Sequence, residues 1–237
     1  MTGSLAPLLG HPLFAVGLTV AAYAAADVLW RRAGQVAFLN PVLVATAIVA
    51  GLVLSVGLSY ESYIAQAQPL DEALGLMVVL LAVPLCRRFG LIRRSGAPIV
   101  AALVVGSAVA ITTALTLPAL TGMGRDLVAT IAPKSATTAV AVEVAERLGG
   151  APGLTAVIVI MTGIVGAVAG PAILAASGVR DDRAKGFALG VASHAIGTAR
   201  AFQISETAGA FASLGMILNA LLTLALAPVV VGWIAGG

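Results

Sequence analysis

Charge is scarce in these 237 residues. Asp, Glu, Lys and Arg together make up 10% of the chain, where a soluble domain carries about 25%. Aromatic residues are few as well, at 5%, and Cys86 is the single cysteine, so no disulfide can close within the chain. His11 and His194 lie far apart and, with one thiol between them, provide no ligand cluster for a metal. The H-E-x-x-H, G-x-S-x-G and P-loop patterns are missing. No basic tail or patch is there to hold nucleic acid: 13 Lys and Arg stand against 10 Asp and Glu, and the basic residues cluster in short loops. These shortages argue against an enzyme, against a bound cofactor or metal, and against a nucleic-acid partner.

What the chain has instead is hydrocarbon. Hydrophobic residues make up 60% of it, in apolar runs at Leu13–Trp30, Pro41–Leu58, Ala73–Cys86, Ala97–Leu117, Leu127–Val144, Leu154–Ala176, Gly186–Phe202 and Phe211–Trp233. As helices, such runs are long enough to cross about 30 Å of hydrocarbon. The expectation is an all-α, polytopic helical membrane protein of about seven to eight apolar segments. The 27 glycines suit helices whose backbones approach closely. With no linker or low-complexity tract, residues 1–237 read as one transmembrane domain, with possible repeat halves at about 12–120 and 121–237. Ala82-Val83-Pro84 weakly echoes Ala169-Gly170-Pro171, and repeats with interrupted helices mark many secondary transporters. The first residues lack Lys and Arg and the first run ends in Arg31-Arg32, unlike a cleavable signal peptide, although Ala22 and Ala24 are small at a cleavage-like spacing.

Basic loops set the expected orientation. Arg31-Arg32, the quartet Arg87, Arg88, Arg93 and Arg94, and the loop with Arg180, Arg183 and Lys185 all read as cytoplasmic. Three apolar segments separate the second loop from the third, and three full crossings would put them on opposite sides. One segment is therefore expected to be broken or re-entrant, with Leu127–Val144 the natural candidate. The rival account is that Asp181 and Asp182 mask the bias and every segment spans.

Two polar insertions interrupt the apolar pattern. The first is Pro133-Lys134-Ser135-Ala136-Thr137-Thr138. A charge at the bilayer centre costs roughly 2.5–3.5 kcal/mol on insertion scales, so such groups usually line a cavity or a substrate path. Proline suits the first turn of a helix, which predicts a half-helix starting near Pro133. Its unpaired amides, at Ser135 and just beyond, would form a partly positive pole. Lys134 adds a formal charge, and Ser135, Thr137 and Thr138 add hydroxyl donors, a set that suits a small carboxylate. The alternative is that Lys134 snorkels to the interface from an ordinary helix end. Further along, Glu143 either pairs with Arg147 four residues on or carries a coupled proton.

The second insertion runs from Ser193 and His194 through Gly197 and Thr198 to Arg200. On a continuous helix Gly190, His194, Gly197, Thr198 and Ala201 share one face. His194 titrates near neutral pH and could take up a proton or donate to a carboxylate; the plainer alternative is a packing residue. Arg200 falls about 120° from His194 on a continuous helix. It joins the site only if the helix breaks near Gly197, and otherwise snorkels or pairs with Glu206. Tyr60-Glu61-Ser62-Tyr63, with Gln66 and Gln68, reads as an interfacial loop or as a gate. Gly163, Gly166 and Gly170 read as a packing seam, and Asn219 as a polar tie or a site residue.

Taken together, Pro133-Lys134-Ser135-x-Thr137-Thr138, Glu143, Leu154 through Gly163, and Ser193-His194-x-x-Gly197-Thr198-Ala199-Arg200-Ala201 resemble the LrgB/CidB family. Asn40-Pro41, Tyr60-Glu61-x-Tyr63 and Leu81-Ala82-Val83-Pro84-Leu85 are similar as well. Ala139 stands where that family commonly has a second proline, and Gly75-Leu76-Met77 where it has Gly-Pro-Ala. The family is antiholin-like, modulating murein hydrolase export and lysis, and has a plastidal glycolate/glycerate translocator relative and bacterial members linked to pyruvate. The resemblance implies a carrier of small monocarboxylates in the bacterial inner membrane, beside a small LrgA/CidA-type subunit and as a homo-oligomer. The expected function is proton-coupled monocarboxylate transport by alternating access around two broken helices, with Lys134, Ser135, Thr137, Thr138, Ser193, His194, Gly197, Thr198 and Arg200 on the substrate and Glu143 or His194 on the proton. The alternative is a holin- or antiholin-like protein that controls permeability.

Overall fold

The computed structural model describes residues 11, 13–34, 39, 41–80 and 82–235. Residues 1–10, Asn40 and Leu81, which carried part of the signal-peptide argument and of the resemblance, lie outside the described residues. Regular structure among the described residues is entirely helical, and the chain separates into two compact units after Leu80.

The first unit holds α1 (Phe14–Arg32), α2 (Pro41–Val56) and α3 (Tyr60–Leu80). Ala22, Ala26 and Ala45 bring α1 and α2 into close contact. Tyr63 meets Thr19 at 2.6 Å, tying α3 to α1. The interfacial loop expected around Tyr60–Gln68 is instead the opening of α3. The Ser59 side chain accepts from the Ser62 amide at 3.2 Å and Glu61 lies in the first turn, so capping and dipole start a helix where polarity alone indicated a loop.

In the second unit α4 (Ala82–Arg87) and α5 (Phe89–Arg94) precede α6 (Gly96–Thr121), α7 (Arg125–Ile131), α8 (Thr138–Arg147), α9 (Pro152–Ala176), α10 (Asp182–Ile204) and α11 (Glu206–Ala235). Phe14–Arg32, Gly96–Thr116, Pro152–Ala176 and Glu206–Gly232 are long and apolar enough to span a membrane. Val20, Val105, Val165 and Val229 all stand exposed on these helices, a surface that fits lipid and not water. The protein is a helical membrane protein.

Two segments turn back on themselves. Straight, α10 would be about 33 Å long, yet the Ser205 hydroxyl donates to Asp182 at 2.8 Å, so its two ends are neighbours. The reversal is at His194, with φ 39° and ψ −128° inside the helical run. Packing against α11 agrees: Gly186 lies on Ala208 and Gly190 on Ala212, so the start of α11 runs parallel to the first half of α10. That is possible only if the second half has returned. The segment from α7 to α8 does the same. The Ala151 amide donates to Thr130 Oγ1 at 2.8 Å, and Thr155 Oγ1 donates to the Thr130 carbonyl at 3.0 Å, so the chain after α8 is back beside α7. Gly122, at φ 64°, ends α6 and opens the way into this hairpin.

The hairpins enter from opposite ends. The base of the first packs on the far end of α6 and on α11, through Leu115, Val128 and Val231. The base of the second sits at the start of α6, where Arg183 reaches Ser95 at 3.4 Å, and Arg88 pairs with Glu206 at 3.0 Å. The two arginine-bearing loops of this unit thus share one end, because Leu127–Val144 returns instead of crossing; Gly186–Phe202 also returns, which brings Glu206 back to that end. Residues 96–150 and 152–205 each combine one spanning helix with one hairpin, in opposite directions. The Ala82-Val83-Pro84 echo falls on a short helix and on the last turns of α9, outside this correspondence.

The glycines on α10 make the second hairpin possible. A Cβ at Gly190 would collide with the Ala212 backbone, whereas one at Gly51 meets nothing within 4 Å. Gly190→Leu should lower the thermal midpoint of the detergent-solubilised protein and broaden its size-exclusion peak, with a cost of at least the 1–3 kcal/mol typical of overpacking. Gly51→Ala should leave both readouts at wild-type values.

Candidate functional site

The tips of the two hairpins meet inside the second unit, held by one side chain from α11. Asn219 is 1% exposed and donates from Nδ2 to the Ser135 carbonyl at 2.7 Å and to the Val191 carbonyl at 3.3 Å. Its Oδ1 accepts from Ser107 of α6 at 2.7 Å. Of the two readings of Asn219, the polar tie is the one seen. Ser107 escaped notice, although a lone hydroxyl in the middle of an apolar helix calls for a partner.

The first tip is built differently from expectation. Pro133 ends α7 and does not begin the next half-helix: without an N–H it cannot continue the ladder, and α7 stops at Ile131. Two turns follow, with the Lys134 amide on the Ile131 carbonyl at 3.0 Å and the Ala136 amide on the Pro133 carbonyl at 2.9 Å. The second half-helix starts at Thr138, with Thr137 as its extended N-cap, although Ala139 supplies no second proline. Its free amides are therefore those from Thr138 onward, not those at Ser135.

Lys134 is half-buried, Ser135 is buried, and both line a cavity of about 700 Å³. The wall is completed by α6 from Ser95 to Thr113, by Asp181 to Ala192 and by Phe211. Among the described residues Lys134 enters no ion pair. At the far end Arg183 is paired with Asp181, and hydrogen bonds from Arg183 hold the Asp181 carboxyl below the usual carboxylate range. Two cations and one carboxylate line this space, so one positive charge is in excess.

The second tip faces elsewhere. Ser193 and His194 are buried against α9, where Gly166 makes room for the Ser193 hydroxyl and Gly163 for the His194 ring. The glycine seam of α9 is thus shaped around the hairpin tip. His194 lies against the Val159 carbonyl. Neither Ser193 Oγ nor His194 Nε2 has a hydrogen-bond partner among the described residues. Thr198 turns its hydroxyl onto the His194 carbonyl at 2.8 Å, satisfying a group that the break sets free. Gly197 packs on Leu189 of the outgoing strand of the hairpin.

The remaining candidates do not line the cavity. Thr137 and Thr138 are half-buried at the start of α8. Arg200 bonds Gln203 at 2.7 Å, and Glu206 is paired with Arg88 at 3.0 Å. Glu143 is exposed and paired with Arg147 at 2.7 Å, the structural option of the two set out above. Phe187, Val191 and Phe211 were not singled out beforehand, because apolar residues in an apolar chain carry no signal.

The match to the LrgB-like family model extends over residues 19–233. The chain is 35% identical over 211 residues to the protein YwbG of Bacillus subtilis, covering 89% of this chain and 93% of that one. YxaC of the same organism is 37% identical over 214 residues, 90% and 93% of the two chains. The "Holin-like protein CidB" of Staphylococcus epidermidis is 34% identical over 193 residues, 81% and 84% of the two chains. No solved structure gives a significant match.

Removing the Asn219 carboxamide should loosen both tips at once. Asn219→Ala leaves two buried carbonyls without donors, each worth about 1–3 kcal/mol. The expected result is a destabilisation of several kcal/mol in reversible unfolding, with Ser107→Ala costing less. In a double-mutant cycle the two changes should couple by more than about 0.5 kcal/mol.

Proposed function

Because the chain belongs to the LrgB-like family, we propose a role within it for the paired hairpins: a carrier of small monocarboxylates in the bacterial cytoplasmic membrane. One observation carries this reading. Lys134, half-buried and without an ion pair, opens on a cavity whose walls are otherwise mainly apolar. An isolated ammonium in such surroundings is costly, and a carboxylate beside it offsets that cost. The Ser135 hydroxyl is the nearest donor to share the anion. His194, with an unpartnered buried nitrogen at the other tip, is the group best placed to carry a coupled proton. Glu143, exposed and paired, is the weaker choice for that role.

Hairpins entering from opposite ends supply what alternating access needs, a central site flanked by two elements of opposite direction. Neither enzymatic turnover nor a cofactor belongs to this proposal. A small LrgA/CidA-type subunit and copies of the same chain are the proposed partners in the membrane.

A second reading rests on the names of relatives such as the "Holin-like protein CidB", and in this respect it has the more direct support. On that reading the protein controls membrane permeability instead of carrying one solute class. Proteoliposomes separate the two. Wild-type protein should give saturable counterflow of a short monocarboxylate such as pyruvate, with no leak of neutral solutes of similar size. Lys134→Ala should reduce that counterflow at least tenfold while inserting normally. Size-dependent leak of neutral solutes, indifferent to Lys134, would favour the holin-like reading.

A further inference from the structure

The cavity is long, and its polar groups stand in separate clusters. Along the start of α6 it runs from Ser95 to Thr113, about 27 Å at 1.5 Å per residue. Ser95, Asp181 and Arg183 mark one end, and Ser135, joined through Asn219 to Ser107, stands with Lys134 about 18 Å along from it. From Pro98 to Ala110, about 18 Å of the same helix, every lining residue of α6 is apolar or glycine. Facing them are Phe187, Ala188, Val191 and Phe211. The volume of about 700 Å³ falls in the range of pockets that take drug-sized ligands. A three-carbon hydroxy acid fills a small part of it, and its hydroxyls have no partners along the middle stretch.

We infer that the preferred substrates are monocarboxylates of about four to six carbons with an apolar tail, straight or branched, such as aliphatic 2-oxo acids. The inference rests on the carrier reading and adds the substrate class. The carboxylate binds at Lys134 and Ser135. The tail lies toward the Ser95–Arg183 end, against Gly106 and Ala102 on one side and Val191 and Phe187 on the other. Charge complementarity at one end and hydrocarbon along the walls together choose an amphiphilic anion over a polyhydroxylated one. Each methylene moved from water into this groove strengthens binding, by about fourfold for a fully buried group.

The test is competition with pyruvate counterflow in proteoliposomes containing the full chain. The competitors are glycolate, glycerate, 2-oxobutyrate, 2-oxopentanoate, 4-methyl-2-oxopentanoate and the uncharged alcohol 1-pentanol. Half-inhibitory concentrations should fall about two- to fourfold per added methylene, with glycerate the weakest acid and the alcohol without effect. Ala102→Leu and Ala188→Leu, which narrow the middle, should reverse the ranking between 4-methyl-2-oxopentanoate and pyruvate. Glycerate competing as well as the five- and six-carbon acids overturns the inference and leaves the carrier reading standing. So does an unchanged ranking in both leucine variants. Competition by the alcohol as strong as by the acids also overturns it, since the groove then takes any apolar chain. Absence of any Lys134-dependent counterflow removes the inference and the carrier reading together.

Discussion

A single carboxamide holds the centre of this protein. Asn219 uses both its N–H groups on backbone carbonyls, one from each hairpin tip, and its oxygen on Ser107. In hydrocarbon no water is available to satisfy carbonyls exposed by an interrupted helix, so a broken segment survives only where protein supplies the donors. Asparagine fits this task because it offers two donors and an acceptor without charge. Leucine would leave the carbonyls bare, and aspartate would bring acceptors where donors are needed. The two breaks and the residue that joins them are therefore one device, and the cavity exists because the tips are held there.

Other residues absorb what remains of the cost. His194 takes a backbone conformation that side-chain-bearing residues rarely adopt, a strain of order 1–3 kcal/mol. Thr198 covers its carbonyl, and Gly163 leaves space for its ring. Along the outgoing half of the hairpin, Gly186 and Gly190 let α10 approach the Ala208 and Ala212 backbones of α11. Close approach between helices is a main source of attraction in a lipid environment, where burying apolar surface gains little. Strain at one residue is thus set against contact along two turns.

Much of this was legible in the residues themselves. Scarce charge and long apolar runs gave the helical membrane class, and the Pro-Lys-Ser and Ser-His insertions marked where helices fail. The like-sided arginine loops pointed to a returning segment at Leu127–Val144. The reversal at His194 was not legible, because Gly186–Phe202 has the length and composition of a spanning helix and the turn falls on a histidine, not on a glycine or proline. The role of Pro133 was misread for a related reason. Proline is equally at home in a first turn and just past a last one, and only the Ile131 terminus decides between them. Phe187 and Phe211 became visible only as a wall, since what distinguishes them is the empty space they face.

The tips also divide their chemistry by direction. Lys134 belongs to the hairpin based at the Leu115–Val128 end of the second unit, yet it is presented to a cavity that runs toward the Ser95–Arg183 end. His194 belongs to the hairpin based at the Ser95–Arg183 end and is turned away from that cavity, against α9. A hairpin that bears its charged tip toward the opposite end exposes it to solutes arriving from the side it does not come from. In the proposed carrier this asymmetry has a direct use. An anion enters past the second hairpin and stops on the first, and release to the other side requires the first hairpin to yield while the second remains closed. The inverted arrangement of 96–150 and 152–205 provides the counterpart of each movement, because whatever opens one hairpin has an oppositely directed equivalent in the other. Tip contact through Asn219 is then the closed junction that neither movement may break without opening both sides at once.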